Sequence, residues 1–534
     1  MTCYWQSRIA VNKISNWVMH NARLNPEASS SIGIEHCLSL SHTLTITIGG
    51  IKMEIKGTKE QEAIWNEMEN GDSHILVYAG AGTGKTFTIV QGASRIAGGK
   101  KGFLAFNKSI ATELGKKLPL DCEAMTFHSL GLSSIRMRNK SVRIDNKKVY
   151  NIINDVLGRE YNSAPALNKL VSMLKSSMAD WDDEAQINSV IDQYEIEFDG
   201  LREERQAIAV LPLIKNMCMD INVVDFDDMI WLPIVLGLPI KHYDTVFVDE
   251  AQDFNEAQRR LILMSCNGGR MIVVGDPKQA IYGFRGADSA SMDIFRDELR
   301  NKGTRDVVEF PLSITWRCPK SVVAEANRFF ADYTCRDDAE DGLVEANVGL
   351  NPTAGDLVLC RVNAPLVSEC FAMISEGKAA YVLGRDIGYS LQVLIKKVTK
   401  DNHMPVEDFL ATLEDYVNKR IVVLERAEKE NQVQSLKDKF DCIIALSGRT
   451  NTVGGLLDNI KEIFGEQGQK SGVVFSTVHK AKGLEADNVW ILSPDKMPHP
   501  MAKSKSAREQ EKNLCYVAIT RAKKTLRYIG GPVG

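Results

Sequence analysis

Residues 75–86 read Ile75-Leu76-Val77-Tyr78-Ala79-Gly80-Ala81-Gly82-Thr83-Gly84-Lys85-Thr86. The four leading residues read as a buried strand, the glycine-rich stretch as a tight loop, and Lys85-Thr86 as the opening of a helix. Strand, loop and helix in that order form the setting in which backbone amides and a helix N-terminus cradle phosphate oxygens. There a lysine at position 85 reaches the β- and γ-phosphates, and a threonine hydroxyl at position 86 ligates Mg²⁺. Ala79 stands where the usual pattern begins with Gly, a small departure because that position needs no positive φ. Residues 79–86 are therefore the candidate nucleotide-binding loop.

The second half of such a site lies downstream. Val246-Phe247-Val248-Asp249-Glu250 is an apolar strand that delivers two carboxylates to a sheet's carboxyl edge. Asp249 is the candidate Mg²⁺ holder, through water, and Glu250 the candidate to polarise the attacking water. Two acids after a strand can also be a plain helix N-terminus, and the phosphate loop decides between the readings. Phe103–Phe106 and Met271–Val274 read as further strands. Helical segments between them imply an α/β fold with a parallel sheet covered on both faces.

Outward from this core, residues 53–133 plus 225–304 read as one parallel-sheet domain, interrupted by a mainly helical insertion at 134–224. Residues 305–388 plus 470–534 read as a second, with strands at Leu357–Arg361, Val473–Ser476 and Asn488–Leu492. A charged helical insertion spans 389–469. Residues 1–52 read as an extension, either with a strand or two around the alternating stretch Leu44–Ile51 or poorly ordered, and the motif-bearing sequence begins only after Met53.

At 534 residues the chain has length for about three to four domains. Lys+Arg (65) nearly balances Asp+Glu (69), so any nucleic-acid site must be a local patch. The 11 cysteines include no CxxC, which argues against a zinc ribbon or a disulfide framework and for a reducing, cytoplasmic setting. The longest apolar run, Met229–Ile240, is broken by Pro233 and Pro239 and is too short to span a bilayer.

The string Asp249-Glu250-Ala251-Gln252-Asp253, followed by Gly275–Ala287 (GDPKQAIYGFRGA), resembles the superfamily 1 helicases of the UvrD/Rep/PcrA type. Further strings match in the same order: Thr58–Gln61, Phe106–Lys108, Thr126–Ser129, Asp225–Asp228, Thr315–Arg317, Ser476–Glu485 and Leu514–Ala522. The segments around Phe106 and Thr126 resemble the F-box-containing branch in particular, although no F-box is evident. The resemblance implies two RecA-like P-loop motor domains with ATP and Mg²⁺ between them. It implies that Gln61 reads adenine, Trp316 (where the family has Tyr) stacks on it, and Gln279 senses the γ-phosphate. Arg317 and Arg521 would reach across from the second domain, and Glu485 would contact nucleotide or couple it to DNA. Charge compensation at a transferring phosphoryl group gives the arginines a physical basis. The implied activity is ATP-dependent, 3′-to-5′ unwinding of duplex DNA in replication, recombination or repair, by a cytoplasmic or nucleoid-associated monomer working on single strands and duplex junctions. A different class, a DNA-stimulated ATPase that displaces proteins without processive unwinding, fits the same motifs.

The implied DNA track comprises Phe106, Asn107, Thr126, His128, Tyr282, Phe284, Arg285, Thr477 and His479. Aromatic faces stack on any base, which suits a motor that ignores sequence. Tyr282 and Phe284 could otherwise be core, but their position beside Gln279 favours stacking. His128 and His479 read either as structural histidines or as DNA neighbours. Arg136, Arg138, Lys140, Arg143, Lys147 and Lys148, with only Asp145 among them, read either as a solvated face or as a phosphate-binding patch. The 389–469 insertion reads as a small accessory element, removable without loss of DNA-stimulated ATPase.

Overall fold

In this computed structural model the described residues are 43–48, 51–105, 108–194, 196–266, 268–281, 291–426, 430–448, 450–464, 472–500, 502 and 505–534. The chain divides into two units, Met1–Ile64 and Trp65–Gly534. The first holds an antiparallel hairpin, Thr43–Ile48 with Ile51–Lys56, closed at the Ile48–Ile51 pair. Met53, expected to begin the organised sequence, lies inside its second strand.

The second unit contains two six-stranded sheets, both parallel throughout. Across the first, the order is Val307–Leu312, His74–Ala79, Arg270–Gly275, Thr245–Val248, Lys101–Ala105, Cys122–Thr126. Its central strands are runs of apolar residues buried on both faces, as parallel strands between helices must be. Phe103 and Phe247 stack across neighbouring strands at 6.1 Å. Parallel pairing, Val77 opposite Val274 and Phe247 opposite Ile272, brings the carboxyl ends of the phosphate-loop strand, the acidic strand and Arg270–Gly275 to one edge. The first sheet reaches beyond the boundary expected at residue 304. Val307–Leu312 pairs with the phosphate-loop strand, and Pro311 is tolerated there because the strand lies at the sheet's edge.

The insertion between the sheet's halves packs four helices, Lys148–Leu157, Ala164–Ser177, Glu184–Gln193 and Leu201–Cys218, around a core of its own. Trp181 stacks on Trp231 there, 5.6 Å between ring centres. A two-residue parallel pairing, Arg143–Ile144 with Val223–Val224, closes its base.

The second sheet runs Leu343–Glu345, Ala522–Ile529, Ala486–Leu492, Leu357–Cys360, Val473–Thr477, Ala380–Val382. Its helical insertion comprises Arg385–Val398, Val406–Arg426, Glu430–Ser447 and Val453–Phe464. Leu391, Phe409, Leu413, Ile443 and Ile460 share one continuous core with Val358, Phe475 and Trp490 of the sheet. The expectation of a removable accessory element is therefore corrected: these helices cover a face of the sheet. Excising 389–469 with a short linker should uncover that core and abolish cooperative unfolding of the second sheet. A deletion variant with a wild-type thermal transition would contradict this.

His74 offers a pH-dependent check on the first sheet. Its buried Nδ1 accepts the Met271 N–H at 3.0 Å, and its Nε2 lies 3.3 Å from Thr304 Oγ1. Burial, then Lys302 and Arg270, lower its pKa to about 4. The unfolded chain binds this proton near pH 6.5 and the native one does not, so stability falls as pH drops from 6.5 towards 4. In His74→Asn the accepting atom is kept and the titration removed, so the loss of denaturation midpoint between pH 7 and pH 5 should be smaller than in wild type. Equal losses would refute the assignment.

Candidate nucleotide and nucleic-acid site

The phosphate-loop strand ends at Ala79, and the helix Lys85–Ala93 begins after the loop 80–84. Gly82 and Gly84 adopt φ of +68° and +85°, which a side chain would strain. Gly80 N–H donates to the Leu312 carbonyl (2.9 Å), and the Thr83 hydroxyl donates to the Gly80 carbonyl (3.0 Å), which fix the loop's start. Among the described residues, the amides of Gly82, Thr83 and Gly84 have no hydrogen-bond partner. Free amides beside a helix N-terminus make a site for an anion.

Two polar contacts tie the loop to the acidic strand. Lys85 Nζ lies 3.3 Å from Glu250 Oε2, and the Thr86 hydroxyl donates to Asp249 Oδ2 at 2.8 Å. Glu250 sits at φ +55°, a left-handed conformation uncommon outside glycine. Its carboxylate also accepts from Gln252 Nε2 at 2.6 Å. Burial works against its ionisation, but Lys85, Lys482 and the Gln252 hydrogen bond bring the pKa down to about 2. Burial and the neighbouring Glu250 push Asp249 the other way, to about 6. Lys85 is held charged: burial is outweighed by Glu250, Asp276 and Asp249. The hard oxygens of Thr86 and Asp249, already paired, suit Mg²⁺. Among the described residues no cluster of three or more His, Cys, Asp and Glu side chains forms a protein-only metal cage.

From Arg270–Gly275 the chain enters Asp276, whose N–H donates to Gln252 Oε1 at 2.9 Å. Gln279 Nε2 donates to Asp276 Oδ2 at 2.5 Å, leaving Gln279 Oε1 as an acceptor 3.3 Å from Arg521 Nη2. Arg521 lies in the turn between the helix Lys505–Ile519 and the strand Ala522–Ile529. It is 1 % exposed, and its guanidinium meets the carbonyls of Val517 (2.9 Å) and Leu484 (3.2 Å) and the Thr520 hydroxyl (3.1 Å). Among the described residues it has no carboxylate partner. Burial and then Arg317 lower its pKa to about 10, so it remains a cation at neutral pH. At 1 % exposure Arg521 is not part of a solvated basic surface.

The other residues expected from the second sheet gather nearby. Arg317 Nε donates to Glu485 Oε2 at 2.7 Å and Nη1 to the Thr520 carbonyl at 3.3 Å, so Glu485's partner here is Arg317. Trp316 is half-buried, with Arg336 over its ring at 4.7 Å, so one face of the expected adenine platform is already covered. Lys482 reaches both Asp253 oxygens and the Gln279 carbonyl, at 2.6, 2.6 and 2.7 Å. In the first unit, Gln61 closes a capping box with Thr58: Thr58 N–H to Gln61 Oε1 (3.0 Å) and Gln61 N–H to Thr58 Oγ1 (3.2 Å).

Of the expected DNA residues, Phe106, Asn107, Tyr282, Phe284 and Arg285 lie outside the described residues. Thr126 caps the helix Phe127–Arg138, accepting the Ser129 N–H at 3.2 Å. His128, its pKa lowered by burial, packs edge-on against Phe226, which remains 52 % exposed. Thr477 is buried at the end of its strand, and His479 is half-buried two residues on. Of the basic run, Arg136, Arg138, Lys140, Arg143 and Lys147 are exposed, but Lys148 is not available to a phosphate. Lys148 Nζ is buried 2.7 Å from Asp228 Oδ2 and also donates to the carbonyls of Cys218 and Asp220.

Sequence reasoning missed Gln252, Asp253, Asp276, Lys482 and Phe226 as parts of this network, although each falls inside a string it had singled out. Side-chain contacts across the chain, not the strings, reveal them.

The glycine loop and acidic strand of the first sheet thus lie beside Lys482 and Arg521, which the second sheet's connections carry. Residues 58–300 match the UvrD/REP helicase N-terminal domain, and residues 472–529 match the UvrD-like helicase C-terminal domain. F-box DNA helicase 1 of Gallus gallus is 24% identical over 89% of this chain and 49% of its own length. F-box DNA helicase protein 1 of Schizosaccharomyces pombe is 23% identical over 88% of this chain and 57% of its own. ATP-dependent DNA helicase UvrD2 of Mycobacterium tuberculosis is 24% identical over 84% and 75%. The chain belongs to the UvrD/Rep helicase family. It spans about half the length of the F-box relatives.

The Asp225–Asp228 string has a structural task that can be tested. Asp225 caps the helix Phe226–Val235, and Lys175 Nζ lies 3.0 Å from Asp225 Oδ2 and 2.8 Å from Asp228 Oδ1. Asp228→Asn leaves Lys148 and Lys175 short of a buried counter-charge, so it should cost about 3–5 kcal/mol in chemical denaturation. A loss under about 1 kcal/mol would show the cluster is solvated.

Proposed function

We propose that this chain hydrolyses ATP with Mg²⁺ and couples hydrolysis to movement along single-stranded DNA, unwinding duplex DNA. The 3′-to-5′ polarity is the one the family resemblance implies. The observation that carries the reading is Arg521: a buried cation that has no carboxylate partner among the described residues, 3.3 Å from Gln279 at the edge of the phosphate loop's sheet. An unpaired buried charge is costly, and a site that keeps one is built to meet an anion.

In this reading the free loop amides and Lys85 receive the β- and γ-phosphates. Thr86 and Asp249 hold Mg²⁺, which screens phosphate charge. When Lys85 turns to phosphate it releases Glu250, whose carboxylate is then free to orient the attacking water. Gln279 and Arg521 sit where the γ-phosphoryl group spreads charge as it transfers, and Arg317 supports them from Glu485. The DNA path is supported by the exposed Phe226 against His128, and by five exposed basic residues from Arg136 to Lys147.

The test is single-turnover ATP hydrolysis, with and without single-stranded DNA, followed by unwinding of 3′- and 5′-tailed duplexes. Lys85→Ala should abolish turnover. Arg521→Ala should keep measurable nucleotide affinity and lose about 10³–10⁵ in rate, and Arg521→Lys should not rescue it, because a point charge lacks the planar fork. Hydrolysis by Arg521→Ala within a few-fold of wild type would overturn the role given to the second sheet. Displacement of bound protein without strand separation would replace the helicase reading with the remodelling one.

A further inference from the structure

The phosphate loop is held on its far side by a feature that phosphate binding does not explain. Three hydroxyls carried by the chain beyond the first sheet converge on Ala81. Thr315 Oγ1 and Tyr333 Oη donate to the Ala81 carbonyl at 2.9 and 2.7 Å, and the Ala81 N–H donates to Tyr516 Oη at 2.9 Å. Trp316 N–H adds a bond to the Gly82 carbonyl at 2.9 Å. Both peptides flanking Ala81 are thus oriented by residues that lie outside the first sheet.

The hydroxyls are buried, Tyr333 and Thr315 at 1 % exposure and Tyr516 at 0 %. Buried hydroxyls need partners, and here the partner is one loop residue. The rings of Tyr333 and Tyr516 meet edge to face at 5.5 Å, which fixes the spacing of the two phenols. The loop's glycines fit the same contact. A Cβ on Gly80 would stand 3.0 Å from the Tyr333 ring, and one on Gly82 would stand 2.6 Å from Arg317 Cβ. A side chain at either position would clash with the residues that pack on the loop, and at Gly82 this adds to the demand of its positive φ.

Tyr516 and Arg521 share one end of a helix. The Tyr516 carbonyl accepts the Thr520 N–H (3.0 Å) and hydroxyl (2.8 Å), and Arg521 Nε donates to the Val517 carbonyl (2.9 Å). A displacement of this helix end therefore moves the loop contact and the buried cation together.

We propose that Thr315, Tyr333 and Tyr516 form a hydroxyl clamp on Ala81, setting the phosphate loop for hydrolysis only when the second sheet is closed upon it. They are positioning residues: none needs to touch nucleotide. The proposal rests on the reading of the loop as an ATP site.

The experiment compares wild type, Tyr333→Phe/Tyr516→Phe, Thr315→Val and Thr315→Ser for melting temperature, MgATP affinity and single-turnover hydrolysis, with Lys85→Ala in the same assays. The phenylalanines keep the rings and remove only hydroxyls. The double variant should bind MgATP within about threefold of wild type and hydrolyse it about tenfold more slowly, the scale set by losing buried hydrogen bonds. Thr315→Val should be slow, and Thr315→Ser, which restores the hydroxyl, should return to within about twofold of wild type. The Thr315 hydroxyl also accepts the Arg317 and Cys318 N–H groups, so the Ser variant is the one that separates hydroxyl from packing. Wild-type single-turnover rates in the folded Phe variants, with Lys85→Ala inactive, would reduce the clamp to packing and leave the ATP reading intact. Wild-type hydrolysis by Lys85→Ala would remove the ATP reading and the clamp with it. If the double Phe variant gives no cooperative melt, the Val and Ser pair decides: equal rates overturn the proposal.

Discussion

A guanidinium buried to 1 % exposure, with no acid beside it among the described residues, is the constraint around which the site is arranged. Removing Arg521 from water costs free energy that carbonyls and a glutamine amide only partly offset. In the proposed function that cost is retained because the charge acts at a phosphoryl group. The helix Lys505–Ile519 holds it from one side, and the Leu484 carbonyl holds it from the other. Gln279 links it to Asp276 and hence to Gln252 and Glu250, so the two sheets are joined through a chain of hydrogen bonds that ends at Lys85.

The electrostatics of the loop follow from the same arrangement. Two adjacent carboxylates in a buried edge cannot both ionise freely, and their surroundings separate them. Lysines and the Gln252 amide keep Glu250 charged, while burial and Glu250 itself push Asp249 up. Lys482 also pairs with Asp253, fastening the second sheet's loop to the acidic strand beside the phosphate loop.

Much of this was legible in the sequence because parallel strands buried on both faces leave unbroken apolar runs. Ile75–Tyr78, Thr245–Val248 and Met271–Val274 were readable for that reason, and the loops at their ends follow from glycine and carboxylate chemistry. Strands with mixed composition were not. Ala522–Ile529 carries Lys523, Lys524 and Arg527 and reads as a basic helix end until its pairing with Ala486–Leu492 is seen. Val307–Leu312, with Glu309 and Pro311, lacks the pattern of a sheet strand and is tolerated because it lies at an edge. The insertion after residue 385 showed helical periodicity, but periodicity does not say what an apolar face covers, and here it covers the second sheet. Lys148 looked like one cation in a surface run; only the fold brings it to Asp228. The hydroxyls of Tyr333 and Tyr516 are likewise silent in sequence, since their partner is a backbone peptide far along the chain.

The central claim is that the second sheet's cation acts on the first sheet's phosphate sensor as one unit. A double-mutant cycle between Gln279 and Arg521, read by single-turnover ATP hydrolysis in the presence of single-stranded DNA, tests it most directly. Residues acting together lose most of their effect at the first substitution, so Gln279→Ala/Arg521→Ala should be little slower than Arg521→Ala alone, with a coupling of at least about 1 kcal/mol. Strictly additive losses would mean that the 3.3 Å contact between them carries no function, and that the two sheets do not share a catalytic site.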